Sequence, residues 1–221
     1  MSLFRYSMLT ALAASLLMAG NAFAEENAAA TDEAQQEAVA AAIGEPAPQF
    51  ELTNVVTGES VALSDFADKT VIVTWQSINC PWNVFKQDSA YERVLYPLAK
   101  EWAANDVVFI AINSNNDESA EEIASYAVEH QTPYPVLKDP GNIIADAYGA
   151  QTTPHFFVIA PGEEQVLVYM GGFEQVPGSP EEAGQMQEAY LKPVIAAQLA
   201  GEELPYTETL SKGCAIKRVS E

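Results

Sequence analysis

The chain is poor in the residues that bind metals and in positive charge. Its 221 residues include two cysteines and two histidines, and 10 lysines and arginines compared with 31 aspartates and glutamates. Two cysteines and two histidines without clustered ligand spacing argue against a structural zinc site. A formal net charge of −21 repels nucleic acid and anionic membranes, so neither is an expected partner. We interpret the acidity as a contribution to solubility.

Long apolar runs are absent beyond the N-terminus. After residue 24 no run approaches the roughly 18 apolar residues that a membrane-spanning helix needs, which predicts no integral span in the mature protein. Residues 1–24 have the pattern of a signal peptide, with Arg5 before an apolar stretch and Ala22-Phe23-Ala24 as a cleavage site. An uncleaved anchor is the alternative. Export predicts a periplasmic or secreted protein in an oxidising compartment.

Apolar periodicity alternates between strands and helices along the rest of the chain. We expect an Ala/Glu-rich spacer over residues 25–42, a folded domain over 43–200 and an irregular tail over 201–221. Apolar and β-branched runs predict strands, and a period of 3.6 residues between them predicts helices. The order predicts an α/β domain with a central mixed sheet flanked by helices. The predicted strands are Gln49–Leu52 at a sheet edge, Val71–Trp75, Val107–Ile112, Tyr134–Leu137, Phe156–Ile159 and Val166–Tyr169.

One helix start carries a clear signal. Ser119 and Glu122 have the spacing of a capping box, in which each side chain accepts a hydrogen bond from the backbone of the other. The pattern predicts a helix with Ile123, Ala127 and Val128 on its buried face.

Cys80 lies between a buried strand and a helical pattern. The strand Val71–Trp75 precedes it, and the helical pattern runs from Pro81 to about Ala104, with a kink or a division expected at Pro97. A thiol at such a junction meets unpaired backbone N–H groups and the positive end of the helix dipole. Both favour the thiolate, which is the nucleophilic form of cysteine. The pattern therefore predicts an ionised and accessible thiol.

Cys214, 134 residues later in the chain, carries the other sulfur. Lys212, Lys217 and Arg218 lie near it and are three of the nine basic residues after residue 24. Cations stabilise a thiolate and attract this tail to the acidic body. Cys214 is therefore predicted to resolve an oxidised Cys80 by forming a bond with it. A permanent structural bridge worth about 5 kcal/mol, or two sulfurs that never meet, are the alternatives.

Four motifs occur in an order typical of one superfamily. They are Gly44-Glu45-Pro46-Ala47-Pro48-Gln49-Phe50 at the domain start, Cys80-Pro81 after a strand, Thr152-Thr153-Pro154 before a strand, and Gly171-Gly172 after the hairpin. With these motifs the chain resembles the thioredoxin-like superfamily, in its redoxin branch of peroxiredoxin-like and TlpA-like proteins, over about residues 43–175. The tail Gly213-Cys214-Ala215-Ile216-Lys217 also resembles the ending of a redoxin subgroup.

The resemblance implies a thioredoxin-like fold and thiol chemistry without a bound cofactor. In such a protein Cys80 attacks a disulfide or peroxide substrate, and an external thiol reductant restores the thiols. The resemblance also implies a cis peptide bond between Thr153 and Pro154 beside the cysteine, with the Thr153 backbone offering hydrogen bonds to an extended substrate. Trp75 and Pro81 are implied as residues that shape the site.

The chain also departs from well-known members of the superfamily. Where thioredoxins carry a second cysteine, this chain has Asn83, which either donates its amide N–H to the Cys80 thiolate or is a solvated helix residue. Ser77 matches the Thr or Ser of peroxiredoxins. Val73, however, stands at their proline position, and Pro154 stands where their arginine is expected. These departures weaken peroxide reduction as a primary role.

Three functions therefore compete. The first is an exported thiol–disulfide oxidoreductase with Cys80 as nucleophile and Cys214 as resolving cysteine. The second is a thiol-dependent peroxidase with an antioxidant role. The third is a non-catalytic binding module in which a Cys80–Cys214 disulfide is structural. His155, next to the proline of the third motif, is expected to be a strand residue that points away from the cysteine.

Overall fold

The central strand of the molecule, β3, spans Thr70–Trp75 and is buried over all six residues. The computed structural model describes residues 41–83, 94–175, 178–179 and 189–219, all within one compact unit, Ala38–Glu221. Apolar and β-branched side chains suit a strand that is covered on both faces. The predicted strand Val71–Trp75 is therefore confirmed, with one more residue at its start.

Strands and helices follow one another in the alternating order that the sequence predicts. The strands are β1 Glu51–Asn54, β2 Ser60–Ala62, β3 Thr70–Trp75, β4 Val107–Asn113, β5 Val136–Lys138, β6 Thr152–Thr153, β7 His155–Ile159, β8 Leu167–Gly171 and β9 Cys214–Ala215. The helices are α1 Tyr96–Ala103, α2 Ala120–Glu129, α3 Ile143–Tyr148 and α4 Leu191–Ala200, with a 3-10 turn at Leu63–Phe66.

Seven of these strands form one mixed sheet in the order β2-β1-β5-β4-β3-β7-β8. β3, β4 and β5 run parallel, and β7 and β8 form the predicted antiparallel hairpin beside β3. The prediction of an edge strand at Gln49–Leu52 is wrong in the bounds of the strand and in its place within the sheet. The observed β1 starts at Glu51 and lies inside the sheet, because β2 folds back and pairs with its outer side. β6 and β9 form a separate two-stranded sheet.

Two apolar clusters cover the two faces of the large sheet. Successive side chains of a strand point to opposite faces, so Ile72 joins one cluster while Val71, Val73 and Trp75 join the other. Buried residues of α1, α2 and α4 complete the first cluster, and α3 completes the second. Ile216 of the C-terminal tail also belongs to the second cluster.

The start of α2 is as the sequence predicts. Ser119 Oγ accepts a hydrogen bond from the Glu122 N–H at 3.2 Å, and the Glu122 carboxylate accepts one from the Ser119 N–H at 2.8 Å. Ile123 and Ala127 are buried, but Val128 is 63% exposed, so its prediction as a buried residue is wrong. A helix turns about 100° per residue, so the residue after Ala127 leaves a narrow buried face.

The observed α1 starts at Tyr96, later than the helix predicted from Pro81. Residues 81–83 form turns, and residues 84–93 lie outside the described residues. Pro97 occupies the first turn of α1, where the missing N–H of proline costs no hydrogen bond. Residues 94–95 before α1 are also helical, and the earlier part of the predicted helix falls on residues 84–93, so the kink or division expected at Pro97 stays a prediction.

The N-terminal predictions lie outside the described residues. This applies to the signal peptide over residues 1–24 and to the spacer up to residue 40. Within the described ranges, no helix has the length and apolar character required to cross a bilayer.

The tail after α4 packs against the body, although the sequence predicts an irregular segment. Met170 in β8 donates its N–H to the Thr207 carbonyl at 3.0 Å and accepts the Thr209 N–H at 3.1 Å. Gly171 allows this approach, because a Cβ there would lie 2.2 Å from the Thr209 hydroxyl. The tail then crosses to β6, where Cys214 and Ala215 form β9.

Candidate active site

Cys80 lies five residues after the end of β3, in a turn closed by a 2.9 Å hydrogen bond from the Asn83 N–H to the Cys80 carbonyl. Its thiol donates to the Thr153 carbonyl oxygen, with Sγ and oxygen 2.9 Å apart. The peptide bond from Thr153 to Pro154 is cis, so the implied isomer and its place beside the cysteine are confirmed. Cys80, which follows β3, meets the Thr153–Pro154 bond, which precedes β7, because β3 and β7 are neighbours in the sheet.

Cys80 is only 1% exposed, so the prediction of an accessible thiol is wrong for this conformation. The tail is the physical reason. β9 pairs antiparallel with β6, which places Cys214 opposite Thr153. Thr153 therefore contacts the Cys80 thiol through its carbonyl oxygen and the strand of Cys214 through its backbone. Residues 81–83, where the sequence predicts the start of a helix, form turns, and residues 84–93 lie outside the described part of the chain.

Cys214 lies opposite Thr153, whose carbonyl oxygen accepts the Cys80 thiol, so Cys80 is close enough to affect the pKa of Cys214. Burial, followed by the hydrogen bond and charge of Cys80, raises the pKa of Cys214 to about 12, and Lys217 opposes this shift. Cys214 is therefore protonated at neutral pH while both cysteines are free thiols, as they are in this structure.

Two buried asparagines hold the tail beyond Cys214. The Asn115 side-chain oxygen accepts the Lys217 N–H at 2.7 Å, and the Asn142 side-chain oxygen accepts the Val219 N–H at 2.8 Å. Both asparagines belong to the body, one after β4 and one before α3. The tail is thus fixed mainly through its backbone, which side-chain changes within the tail cannot easily remove.

The cations of the tail bind acidic and carbonyl partners, as the docking prediction requires. Lys217 forms an ion pair with Asp117, and Arg218 pairs with Asp146 at 3.0 Å and donates to the Ala150 carbonyl at 2.8 Å. These pairs are largely solvent-exposed, so each contributes little to stability. Their main effect is to orient the tail on an acidic surface.

Gly213 lies directly against the cis peptide bond. A Cβ at this position would lie 2.1 Å from the Thr153 oxygen and 2.9 Å from the Pro154 nitrogen, so only glycine fits without a shift. One residue earlier, the Lys212 ammonium lies 5.0 Å from the ring centroid of Trp82, a cation–π distance. These two contacts bring the tail onto the loop that carries the buried cysteine.

Glu118 is a site residue that the sequence reasoning missed. It is 2% exposed and accepts hydrogen bonds from the Ser77 hydroxyl at 2.5 Å, the Ile78 N–H at 3.2 Å and the Asn79 N–H at 3.2 Å. The side-chain amides of Asn79 and Asn113 donate to it as well, at 3.1 and 2.5 Å. A buried carboxyl group needs hydrogen-bond donors to offset the loss of its hydration. Glu118 therefore fixes the loop that leads into Cys80.

Trp75 does not line the site, contrary to what the resemblance implies. It is 0% exposed, and its ring packs against Tyr148 and Phe157 with centroids 5.3 and 5.1 Å away. Its indole N–H donates to the Ser114 hydroxyl at 2.9 Å. Alternation along β3 points this side chain into the apolar cluster on the Val73 face. Trp75 supports the site from the core.

The other residues that the resemblance implies as shaping the site are either buried in the loop around Cys80 or exposed on the surface. Asn83 is 3% exposed, so the alternative of a solvated helix residue is wrong. Its side-chain oxygen accepts the Ser77 N–H at 3.4 Å, while its amide nitrogen has no hydrogen-bond partner among the described residues, Cys80 included. The Ser77 hydroxyl is directed to Glu118. Pro81 is exposed on the turn.

Comparisons with known proteins find similarity over most of the chain. Residues 43–170 match the model of the AhpC/TSA family. The chain belongs to the AhpC/TSA family. A curated relative, thiol-disulfide oxidoreductase ResA from Halalkalibacterium halodurans, is 28% identical over 132 residues, which are 60% of this chain and 70% of that protein.

Solved structures confirm the fold of this AhpC/TSA-family protein. A hypothetical protein from Sinorhizobium meliloti 1021 and an uncharacterized conserved protein from Geobacillus kaustophilus are each 28% identical, with a TM-score of 0.69. Each match covers 81% of this chain, with 96% and 94% of the two other chains. More distant structures, at 16% and 18% identity, share the fold alone. The thioredoxin-like fold with a mixed sheet flanked by helices is therefore confirmed.

His155 is a buried strand residue in this AhpC/TSA-family protein. It lies opposite Trp75 in the pairing of β3 and β7, and its ring centroid is 4.5 Å from that of Phe157. Its Nδ1 accepts the Gln151 N–H at 3.4 Å. Burial lowers the pKa of His155 to about 4, so the imidazole is neutral at pH 7. The ring is directed to the apolar cluster beside Trp75.

Proposed function

We propose that this protein is an exported thiol–disulfide oxidoreductase with Cys80 as the nucleophile and Cys214 as the resolving cysteine. One observation carries the proposal most strongly. Cys214 lies opposite Thr153, and the carbonyl oxygen of Thr153 accepts the Cys80 thiol at 2.9 Å. The similarity to ResA, whose name states the same activity, supports the reaction class. The signal-peptide pattern supports export to a periplasmic or extracellular compartment.

The proposed cycle moves two electrons from the cysteine pair to a substrate disulfide. The Cys80 thiolate attacks one substrate sulfur, the other leaves as a thiolate, and a mixed disulfide forms. Cys214 then loses its proton and attacks the Cys80 sulfur, which releases the reduced substrate and leaves a Cys80–Cys214 bond. An external thiol reductant returns two electrons and reopens the pair. No bound cofactor takes part.

A substrate reaches Cys80 only after the tail has moved. Cys80 is 1% exposed while β9 is paired with β6. When the tail leaves, the backbone of Thr152 and Thr153 becomes a free strand edge, and an extended substrate pairs with such an edge by main-chain hydrogen bonds. The first step of the cycle is therefore the separation of β9 from β6.

The test is the reduction of insulin disulfides with dithiothreitol as the electron source. The wild-type protein should accelerate the reaction, Cys80→Ser should abolish the acceleration, and Cys214→Ser should accumulate a mixed disulfide with the substrate. Ala215→Ser is the matched control, because it places a new serine in the same short strand and leaves both sulfurs in place. Full activity of Cys80→Ser would overturn the proposal.

The same variants separate the two competing functions. A peroxidase would consume hydrogen peroxide and show a sulfenic acid on Cys80 in Cys214→Ser. A purely structural bridge would show no turnover and a lower melting temperature in either cysteine variant. The geometry gives the peroxidase less support, because the Ser77 hydroxyl donates to Glu118 and Arg218 is bound to Asp146.

A further inference from the structure

We propose that the tail is an internal copy of the substrate, so that its sequence names the polypeptide that the β6 edge (Thr152–Thr153) selects. The partner is an extended, basic segment in which glycine precedes the reactive cysteine and an aliphatic residue lies two positions after it. This proposal rests on the proposed function, because it requires Cys80 to attack a substrate disulfide. It goes further by assigning the substrate a sequence.

Cys214 lies where the cysteine of an extended substrate has to lie. β9 pairs antiparallel with β6, with Cys214 opposite Thr153, and the Thr153 carbonyl oxygen accepts the Cys80 thiol at 2.9 Å. The pairing continues past β9, where the Ile216 N–H donates to the Gln151 carbonyl at 3.1 Å. A chain bound to this edge in the register of the tail therefore brings its cysteine to Cys80. The neighbours of that cysteine meet the same surfaces as the neighbours of Cys214.

The position before the cysteine has room only for glycine. A Cβ at Gly213 would lie 2.1 Å from the Thr153 oxygen, 2.5 Å from its carbonyl carbon and 2.9 Å from the Pro154 nitrogen. All three are backbone atoms at the bond beside Cys80, so they cannot turn aside as the end of a flexible side chain can. Gly213 does not have a positive φ, so the restriction comes from space and not from backbone strain. A substrate with a larger residue here must shift its strand away from Cys80.

The position two residues after the cysteine enters an apolar site. Ile216 is 6% exposed and belongs to the same apolar cluster as Tyr148 and Ala150. Ala215, between Cys214 and Ile216, is exposed, as the alternation of an extended chain requires. Departure of the tail uncovers the site of Ile216. An aliphatic substrate residue in the same register restores the apolar burial, whereas a polar one does not.

The surface that binds the end of the tail is acidic. Lys217 pairs with Asp117, and Arg218 pairs with Asp146 at 3.0 Å. Both carboxylates lose these partners when the tail leaves, on a chain with a formal net charge of −21. Basic residues that follow the substrate cysteine take their place. Such exposed charges add little affinity but raise the association rate, and salt screens their effect.

One strand edge cannot hold the substrate and the tail at the same time. After the substrate sulfur has bonded to Cys80, the tail returns to β6 only by displacing the substrate backbone. This strand exchange brings Cys214 to the Cys80 sulfur. Because the two segments make the same hydrogen bonds and fill the same apolar site, the exchange is close to balanced in free energy.

The first experiment measures how fast Cys80 attacks peptides that copy the tail. The Cys214→Ser protein, whose one remaining cysteine is Cys80, is mixed with a peptide of the sequence of residues 211–218. The peptide cysteine carries thionitrobenzoate in a mixed disulfide. The Cys80 thiolate bonds to the peptide sulfur, the peptide–thionitrobenzoate bond breaks, and coloured thionitrobenzoate leaves with the electron pair. Mass spectrometry identifies the peptide on Cys80.

Three changed peptides test the assigned sequence. Alanine in place of the glycine should slow the release about tenfold or more, because a small displacement of reacting atoms is costly. Serine in place of the isoleucine should slow it several-fold. Serine in place of the alanine is the matched control, since that position is exposed, and should keep the rate within about twofold. The rate of each peptide with glutathione corrects for the intrinsic reactivity of its disulfide.

The outcomes separate the inference from the proposed function. Equal corrected rates for all peptides would overturn the inference and leave Cys80 as a nucleophile for disulfides. No reaction with any peptide would overturn the proposed function as well.

The second experiment places the same steric clash in the tail itself. In Gly213→Ala, made in the Cys214→Ser background, the tail cannot seat against the Thr153–Pro154 bond. Iodoacetamide should then alkylate Cys80 several-fold faster, and the glycine peptide should also react faster because its competitor is displaced. Ala215→Ser in the same background is the matched control at an exposed position. Alkylation of Gly213→Ala at the control rate would show that this position accepts a side chain, which contradicts the inference.

Discussion

Cys80 and Cys214 are supported by very different parts of the molecule. Cys80 follows β3, which has six buried residues and is hydrogen-bonded to β4 on one side and β7 on the other. Cys214 lies on the two-residue strand β9, which is paired with β6 in a sheet of two short strands. We call these two regions the platform (β3, β4 and β7) and the tail (residues 207–219).

The segment that carries Cys214 can therefore move much more easily than the segment that carries Cys80. Separation of β3 from its neighbours would expose both apolar clusters and so requires global unfolding. Release of the tail breaks backbone hydrogen bonds, among them those to Asn115 and Asn142, as well as exposed ion pairs and the contact of Lys212 with Trp82. It also exposes Ile216, the buried apolar residue among the described residues of the tail. Local opening of the tail therefore costs much less free energy than unfolding. A fixed thiol beneath a removable cover suits a site that must alternate between closed and open states.

The largest effect should come from the platform. Trp75→Ala removes a fully buried ring and its hydrogen bond to Ser114, so the free energy of unfolding should fall by about 4 kcal/mol. Urea unfolding followed by circular dichroism measures this change. Ile216→Ala, the corresponding truncation in the tail, should cost clearly less. An equal loss in both variants would remove the distinction between the two regions.

A pH effect should also come from the platform, through His155. Its pKa is about 4 in the folded protein, below the usual 6.5 in the unfolded chain, so the unfolded state binds the proton more strongly. The stabilisation is fully present above pH 6.5 and is lost as the pH falls toward 4. Between pH 7.5 and 4.5 wild type should lose about 2.5 kcal/mol more than His155→Phe in urea unfolding. Parallel losses in the two proteins would contradict a buried neutral imidazole.

Glu118 connects the platform to the loop before Cys80. Glu118→Gln keeps the size of the side chain but removes the charge that five donor groups share. The free energy of unfolding should fall by about 2 kcal/mol, and the Cys80–Cys214 bond should form more slowly during oxidation by glutathione disulfide. Glu122→Gln, at the exposed cap of α2, is the control. Unchanged stability and unchanged bond formation in Glu118→Gln would exclude the assigned role.

The smallest change in global stability should come from the tail. Asn115→Ala removes one hydrogen bond to the tail backbone and should lower the free energy of tail opening by about 1 kcal/mol, which is roughly a fivefold faster alkylation of Cys80. The global free energy of unfolding should change less than in Glu118→Gln. Alkylation at the wild-type rate would show that Asn115 does not hold the cover closed.

Local signals in the sequence predict several parts of the body well. A continuous run of β-branched and apolar residues predicts β3, the Ser119 box predicts α2, and the motif around Pro154 implies the cis bond through a family resemblance. Each of these features depends on neighbouring residues or on a short motif. The layered α/β architecture then follows from the order of the elements, although the place of β1 inside the sheet does not.

The largest errors at the site concern contacts between distant parts of the chain. The burial of Cys80 depends on a tail 134 residues away, and no local pattern shows that this tail docks on β6. Glu118 precedes a helix cap, where a carboxylate is normally solvated, and it is buried because loop N–H groups from residues 78 and 79 need an acceptor. Trp75 is fixed in the core by the alternation of β3, which the family resemblance does not indicate.

The most direct test of the account is a redox titration of the reduced protein with glutathione disulfide, followed by peptide mapping. The account predicts one intramolecular product in which the peptides of Cys80 and Cys214 are joined and two hydrogens are lost. Its yield should not depend on protein concentration. Separate glutathione adducts on the two cysteines, or cross-linked dimers whose yield rises with concentration, would contradict the central claim that the tail places Cys214 on Cys80.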